Sequence, residues 1–253
     1  MSRVLLAGAA AVVTGGGGGI GAATVRALRH AGATVVAVDT DEPALADLAR
    51  ETGAEPYVAD VRDPAHADRL VRHVLETRGR LDIVVANAGI GHAGDFADMT
   101  PQRVSDLVAI NVSAPMLLAL AAVPAMRNQG RGAIVFVSSI AGALLVPRES
   151  VYSATKAAVE AFAEPLREEL RGAGISVSTV MPAVVATRFF ATRGEDYDRR
   201  FPRPQPPERV AAAIVRAARD GSARVVVPPW FVLPLRLRST APRLYRALAR
   251  RFG

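Results

Sequence analysis

The chain has 253 residues, enough for one large core, and α/β chains of this size commonly form a single domain. Half of the residues are hydrophobic and 22% are charged, which suits a packed globular protein and excludes a disordered one. With no cysteine there can be no disulfide, thiolate nucleophile or Cys-ligated metal, and the net charge of +7 is spread along the chain apart from a C-terminal cluster, a pattern that argues against nucleic acid as a partner.

Taken in chain order, short β-branched runs alternate with longer Ala/Leu/Arg stretches of helical period, as in βαβ units around a parallel sheet. The apolar start runs directly into a Gly-rich turn without a polar spacer, so it reads as a strand and not as a signal peptide. Strands are expected at residues 11–14, 34–39, 55–58, 81–86, 133–138, 176–181 and 224–227, and their Val/Ile/Ala content suits helical cover on both faces. Helices are expected at 19–30, 43–52, 64–77, 101–126, 152–171 and 207–220. No apolar run is expected to reach the roughly 18 to 20 residues of a membrane-spanning helix. Residues 188–206, rich in Arg, Pro and Asp, lack a period and read as a mobile surface loop.

Thr14 to Gly21 read Thr-Gly-Gly-Gly-Gly-Gly-Ile-Gly between the first strand and the first helix. Gly15, Gly18, Gly19, Ile20 and Gly21 thus let backbone N–H groups approach a pyrophosphate at the positive end of a helix. Asp39 ends the second strand, where a carboxylate can accept from both adenosine ribose hydroxyls. A 2′-phosphate would meet like charge there, and the turn has no Arg or Lys to offset it, so NAD is the expected cofactor. Asp60 and Val61 follow the third strand and are candidates for the adenine edge. Asn87, Ala88 and Gly89 follow the fourth, where small residues let backbone pass close to the cofactor.

Tyr152 and Lys156 stand one helical turn apart and share a face. An ammonium beside the phenol favours the phenolate and, with the positive nicotinamide helping, is expected to pull its pKa from about 10 towards the neutral range of a general base. Lys156 is the single lysine among 31 basic residues, which marks a position that the bulky planar fork of Arg cannot fill. Ser139, at the end of the fifth strand, can donate to a substrate oxygen as negative charge develops on it.

With these residues in place the chain resembles the short-chain dehydrogenase/reductase family over roughly residues 8–228. The family's T-G-x-x-x-G-x-G pattern matches Thr14, Gly15, Gly19 and Gly21, and its N-A-G matches Asn87, Ala88 and Gly89. Its catalytic Asn, Ser and Y-x-x-x-K look like Asn111, Ser139, Tyr152 and Lys156, with Ser139 preferred to Ser138 for its spacing to the tyrosine. The resemblance implies an α/β fold, a Rossmann-type doubly wound, seven-stranded parallel sheet with helices on both faces, in one domain over residues 1–228. It implies that a hydride moves between NAD(H) and a secondary alcohol or ketone. It further implies that Lys156 grips the nicotinamide ribose, that Asn111 holds a relay water, that Pro182, Val185 and Thr187 border the nicotinamide, and that the chain forms a homodimer or homotetramer. One departure is Pro182-Ala183, where the family has Pro-Gly, since Ala tolerates fewer backbone angles.

The family's substrate lid falls on residues 188–206. Its Phe189, Phe190, Tyr197 and Phe201 suggest a bulky apolar, steroid- or lipid-like substrate, or else anchor the loop to its own core or a partner. An NADPH-linked 3-oxoacyl-type reductase and a non-catalytic dinucleotide-binding regulator are the competing readings. His30, His66 and His73 show no metal-ligand spacing, and no metal is expected. Residues 229–253 depart from the family as a basic amphipathic C-terminal extension, with Leu244, Leu248 and Phe252 on one helical face. This extension is expected to lie on an anionic membrane, cover a neighbouring subunit or cover its own cleft, and the expected location is cytoplasmic, at the inner membrane face if lipid is bound.

Overall fold

The computed structural model describes residues 4–144, 146–195, 197 and 202–252, the last four of these by backbone alone. Seven parallel strands form one sheet in the order β3-β2-β1-β4-β5-β6-β7. They are β1 (Ala10–Thr14), β2 (Thr34–Asp39), β3 (Glu55–Val58), β4 (Ile83–Ala86), β5 (Gly132–Val137), β6 (Ile175–Pro182) and β7 (Arg224–Val227). The doubly wound arrangement follows from burial on alternate sides. Ala11 and Val13 of β1 join one core cluster with Leu28, Leu45 and Ile214, while Ala10 and Val12 join another with Leu70, Leu118 and Phe136. The first core is covered by α1 (Gly19–His30), α2 (Glu42–Thr52) and α9 (Pro207–Asp220); the second lies under α3 (His66–Arg78), α5 (Ala114–Gln129) and α7 (Ser150–Leu170). Cover is incomplete at the sheet edges, where Pro56 and Val58 of β3 and Arg224 of β7 are exposed, so the expected two-sided cover holds for the inner strands.

The chain order reverses direction across the sheet at β1, whose neighbours are β2 and β4, and a crevice opens there beyond the carboxyl ends of the strands. The register sets Val13 beside Ala37 and Val85, which brings Thr14, Asp39 and Asn87 to one rim.

The stretch expected as one helix over 101–126 is interrupted. α4 (Pro101–Val108) passes through a π turn at Ala109–Ser113 into α5, and Asn111 sits on the turn. The same stretch corrects the expectation about apolar runs, because Pro101–Gln129 holds an 18-residue window of mean hydropathy 2.0, long and apolar enough to cross a membrane. Here Leu107, Leu118, Ala122 and Met126 are buried within the fold. The supposed surface loop is also partly ordered: α8 (Phe189–Thr192) opens it, Arg193 is buried, and Val185 bridges to Gln205. Three further short helices complete the cleft walls: α6 (Ile140–Leu144), α10 (Val232–Thr240) and α11 (Pro242–Phe252).

Candidate active site

A cleft of about 2070 Å³ lies over the crevice. On one side the glycine turn is clamped to the end of β4. The Thr14 hydroxyl accepts from the Asn87 and Ala88 N–H groups, each at 3.1 Å, and Asn87 Nδ2 donates to the Thr14 carbonyl at 3.0 Å. Gly15, at φ +66°, lies so close that a Cβ there would stand 2.9 Å from Ala88 Cα. Gly18 caps α1 without any side-chain acceptor, and the first turn carries no acid, so its N–H groups remain suited to an anion. Gly19, at φ +53°, faces the Thr187 side chain, which closes over the turn from the end of β6. Asp39 Oδ2 accepts from Gly17 N–H at 2.9 Å and Oδ1 from Thr40 N–H at 2.8 Å, fixing the carboxylate on the rim.

The catalytic candidates come from the opposite wall. Tyr152 and Lys156 share the cleft face of α7 and are both buried, and the Lys156 ammonium lies 5.8 Å from the phenol ring centre. Lys156 Nζ donates to the Val137 carbonyl at 3.0 Å, and burial lowers its pKa to about 8. The expected fall of the Tyr152 pKa does not occur in the chain alone. Desolvation dominates and pushes it up, against a weaker pull from the Ser139 hydroxyl. Ser139 Oγ also accepts from Ala141 N–H at 3.1 Å, whereas Ser138 Oγ lies 3.0 Å from both the Lys156 carbonyl and the Glu160 carboxylate and so straps β5 to α7. The Asn111 amide accepts from Ile90 N–H and donates to the Ile90 carbonyl, both at 2.9 Å, and donates to Thr155 Oγ1 at 3.0 Å. A Cβ on Gly89 would stand 3.3 Å from both Asn111 Oδ1 and Lys156 Nζ, so the absence of a side chain at Gly89 lets the two approach.

The cleft therefore brings together Gly15, Gly18, Gly19, Ile20, Asp39, Asn87, Ala88, Gly89, Ser139, Tyr152, Lys156, Pro182, Val185 and Thr187. Four sequence candidates stand outside its lining. Gly21 packs beneath the Gly15 carbonyl, and Asn111 lies behind Gly89. Val61 lines a small separate cavity with Ala88 and Ile110. The Asp60 carboxylate is gripped by Arg62 at 2.6 Å, which holds its pKa below the usual range, so an adenine edge would have to share it.

Residues 9–198 match the family model described as short chain dehydrogenase. The chain belongs to the short-chain dehydrogenase/reductase family. The chain is 35% identical to the probable oxidoreductase EphD of Mycobacterium tuberculosis, an alignment covering 88% of the chain but 43% of the relative. It thus spans less than half the length of that protein. It is 32% identical to ketoacyl reductase HetN of Nostoc sp., over 83% of the chain and 75% of the relative. Among solved structures, a short-chain dehydrogenase/reductase from Burkholderia phymatum in complex with NAD superposes with a TM-score of 0.85 at 26% identity, covering 95% of this chain and 96% of that one. The 3-ketoacyl-(acyl-carrier-protein) reductase of Brucella melitensis complexed with NADH gives 0.82 at 27% identity, covering 88% and 97%.

The mouth of the cleft sets the expected Phe189 and Phe190 among residues that sequence patterning did not single out, namely Gly91, Arg148, Glu149, Arg193 and Glu195. The Phe189 ring lies 5.5 Å from that of Tyr152, and Gly91 lies beneath it, where a Cβ would come within 2.5 Å of Phe189 Cζ. Arg193 pairs with Glu149 and stacks 4.6 Å over Phe190, while Arg148 pairs with Glu195. These partners are separated by more than forty residues, and no local spacing signals them. Phe201 lies outside the described residues. The far wall is the extension itself: Tyr245 donates to the Leu144 carbonyl at 3.1 Å, and Trp230 stacks on Phe231 at 3.9 Å. Among the described residues no cluster of His, Asp and Glu is placed to hold a metal. A dinucleotide fits the cleft: an acid-free helix start, a glycine turn crowded by Ala88 and Thr187, and a rim carboxylate are the features that its phosphates and ribose require.

Proposed function

We propose that this dehydrogenase moves a hydride between NAD(H) and a bulky apolar secondary alcohol or ketone, with residues 1–228 as the catalytic domain and 188–206 as its lid. The observation that carries the reading is that Tyr152, Lys156 and Ser139 line the same cleft as the glycine turn and Asp39. The nicotinamide, when bound, supplies or takes up the hydride. Tyr152 exchanges a proton with the substrate oxygen, and Ser139 donates a hydrogen bond to that oxygen as charge develops. Lys156, with a pKa of about 8, can hold or release a proton near neutral pH and return it towards the phenol. Asn111 acts by position, keeping Gly89 and Ile90 against α7 and bordering the proton route.

Asp39 supports NAD over NADP, because its carboxylate would repel a 2′-phosphate. Pro182, Val185 and Thr187 border the nicotinamide end, and Asp60 and Val61 the adenine end. A second reading, an NADPH-linked 3-oxoacyl reductase, is favoured by the names of HetN and the Brucella enzyme and opposed by Asp39. A regulator that merely binds dinucleotide has no need of a buried phenol beside an ammonium. Fluorescence titration with NADH and NADPH separates the two cofactors. A screen of secondary alcohols and steroids with NAD⁺, followed by absorbance of the reduced nicotinamide, tests turnover. Binding of NADPH alone, or no turnover with any alcohol or ketone, would overturn the reading.

The exposed apolar side chains Val108 and Leu120 on α4 and α5 support assembly as a homodimer or homotetramer, checked by light scattering. The proposed place of action is the cytoplasm. Nucleic acid is not among the proposed partners, and peripheral membrane contact is assigned to residues 229–253.

A further inference from the structure

Seven arginines and no acid follow Asp220, whereas the first 220 residues carry 24 basic and 24 acidic side chains. The whole excess of positive charge therefore belongs to the last strand and the extension. The same segment carries four of the large apolar side chains most open to water: Trp230 at 41%, Leu233 at 68%, Leu244 at 53% and Leu248 at 39%. Arg236, Arg243 and Arg246 are exposed beside them. These features also coincide with the mouth of the cleft, because Trp230, Leu237, Tyr245 and Leu248 line it. An apolar path thus runs from exposed leucines on the surface to Phe189 and Tyr152 within.

We infer that α10 and α11 dock the cleft mouth onto an anionic lipid bilayer, from which the apolar alcohol or ketone is drawn. The substrate part of this inference rests on the reaction proposed above; the docking does not. A bilayer offers an anionic layer for arginines and, a few ångströms deeper, an apolar layer for tryptophan and leucine. A second copy of the chain meeting this face about a twofold axis would set arginine against arginine. Nucleic acid phosphates would answer the arginines but leave three leucines in water.

Trp230 is the only tryptophan, so its emission reports on this face directly. The full chain is mixed with vesicles of phosphatidylcholine alone or with phosphatidylglycerol added, and Trp230 emission is read together with co-sedimentation. A blue shift and sedimentation are expected with anionic vesicles only, reversed by salt, with each Arg→Gln change among Arg236, Arg243 and Arg246 weakening binding about fivefold. Because the chain has no cysteine, a fluorophore can be placed at Thr192→Cys on the lid or at Asp47→Cys on α2, towards the opposite edge of the sheet. Brominated lipid should quench the first and spare the second. Unchanged Trp230 emission, equal binding to neutral vesicles, or quenching at Asp47→Cys alone would overturn the docking. If docking holds, a long-chain secondary alcohol dissolved in the vesicles should lose at least tenfold in turnover in the triple Arg→Gln variant, while a short water-soluble alcohol is unaffected. Equal turnover of the vesicle-borne alcohol by both forms would overturn bilayer uptake, and docking without turnover of any alcohol would instead overturn the proposed reaction.

Discussion

Arg193 and Glu149 pair across the mouth of the cleft with side chains only 10% and 12% exposed, joining the segment after α8 to the start of α7. Their charges also act on Tyr152 in opposite senses, Glu149 raising its pKa and Arg193 lowering it. Breaking so buried a pair leaves one charge uncompensated at a cost of about 3–5 kcal/mol. Arg193→Met is expected to raise KM and move the alkaline-rising limb of alcohol oxidation to higher pH, since Glu149 then acts unopposed. Glu149→Gln should move the same limb to lower pH. Profiles of kcat/KM against pH check both, and a shift in the same direction for the two variants would contradict the assignment.

Gly91→Ala sets a methyl group against the Phe189 ring and the Arg193 side chain. The proposed lid should be lifted while the dinucleotide half stays intact, so KM for the alcohol rises and the Kd for NADH is unchanged. Steady-state kinetics beside a fluorescence titration measure both quantities.

Removing one hydroxyl in Tyr152→Phe keeps ring packing against Phe189 while deleting the proposed proton carrier. Turnover should fall by about 10²–10⁴, with NADH binding retained. Most of the activity surviving would remove Tyr152 from the mechanism.

Lys156 is a buried cation whose pKa falls to about 8 from 10.5. Between those values the unfolded chain binds more protons than the folded one, so this group makes stability rise with pH across that window. Below about pH 8 the buried charge costs about 3 kcal/mol. Lys156→Met should thus be more stable than the parent at neutral pH, with the difference shrinking towards pH 10.5. Denaturant unfolding at several pH values reads the difference, and a Lys156→Met variant that is less stable at neutral pH would contradict it.

Asp39→Ser removes the rim charge and one acceptor of the Gly17 N–H group. Hydrogen bonds to a charged group contribute about 1.5–3 kcal/mol, so NADH binding should weaken by roughly ten- to a hundredfold relative to NADPH. The ratio of the two Kd values is the measurement.

The strands were legible because Val and Ile runs such as those of β2 and β4 are buried on both faces and need no partner to be recognised. The glycine turn and the Tyr152–Lys156 pair were legible because their chemistry is local, within eight residues or one turn of helix. What escaped was either too short or too distant. α6 and α8 have five and four residues, less than two turns, so no period can develop. Asn111 lies in an Ala-Ile-Asn-Val-Ser stretch that carries no glycine or proline to announce a π turn. In the chain alone burial, which spacing does not reveal, outweighs the neighbouring groups and holds the Tyr152 phenol up, while the fall expected from spacing included the charge of a bound nicotinamide. The helical pattern of the extension set Leu244, Leu248 and Phe252 on one face without fixing what covers it; Leu244 and Leu248 stand exposed, and the Phe252 side chain lies outside the described residues.

The π turn at Ala109–Ser113 admits one extra residue into what would otherwise be a continuous helix, and each residue turns a helix by about 100°. It therefore sets the rotational phase of everything downstream. Deleting that residue would swing Leu118, Ala122 and Met126 away from the interior at the same stroke as it re-aims Asn111. Core packing and amide orientation share a single geometric setting, and neither can be adjusted while the other stays fixed.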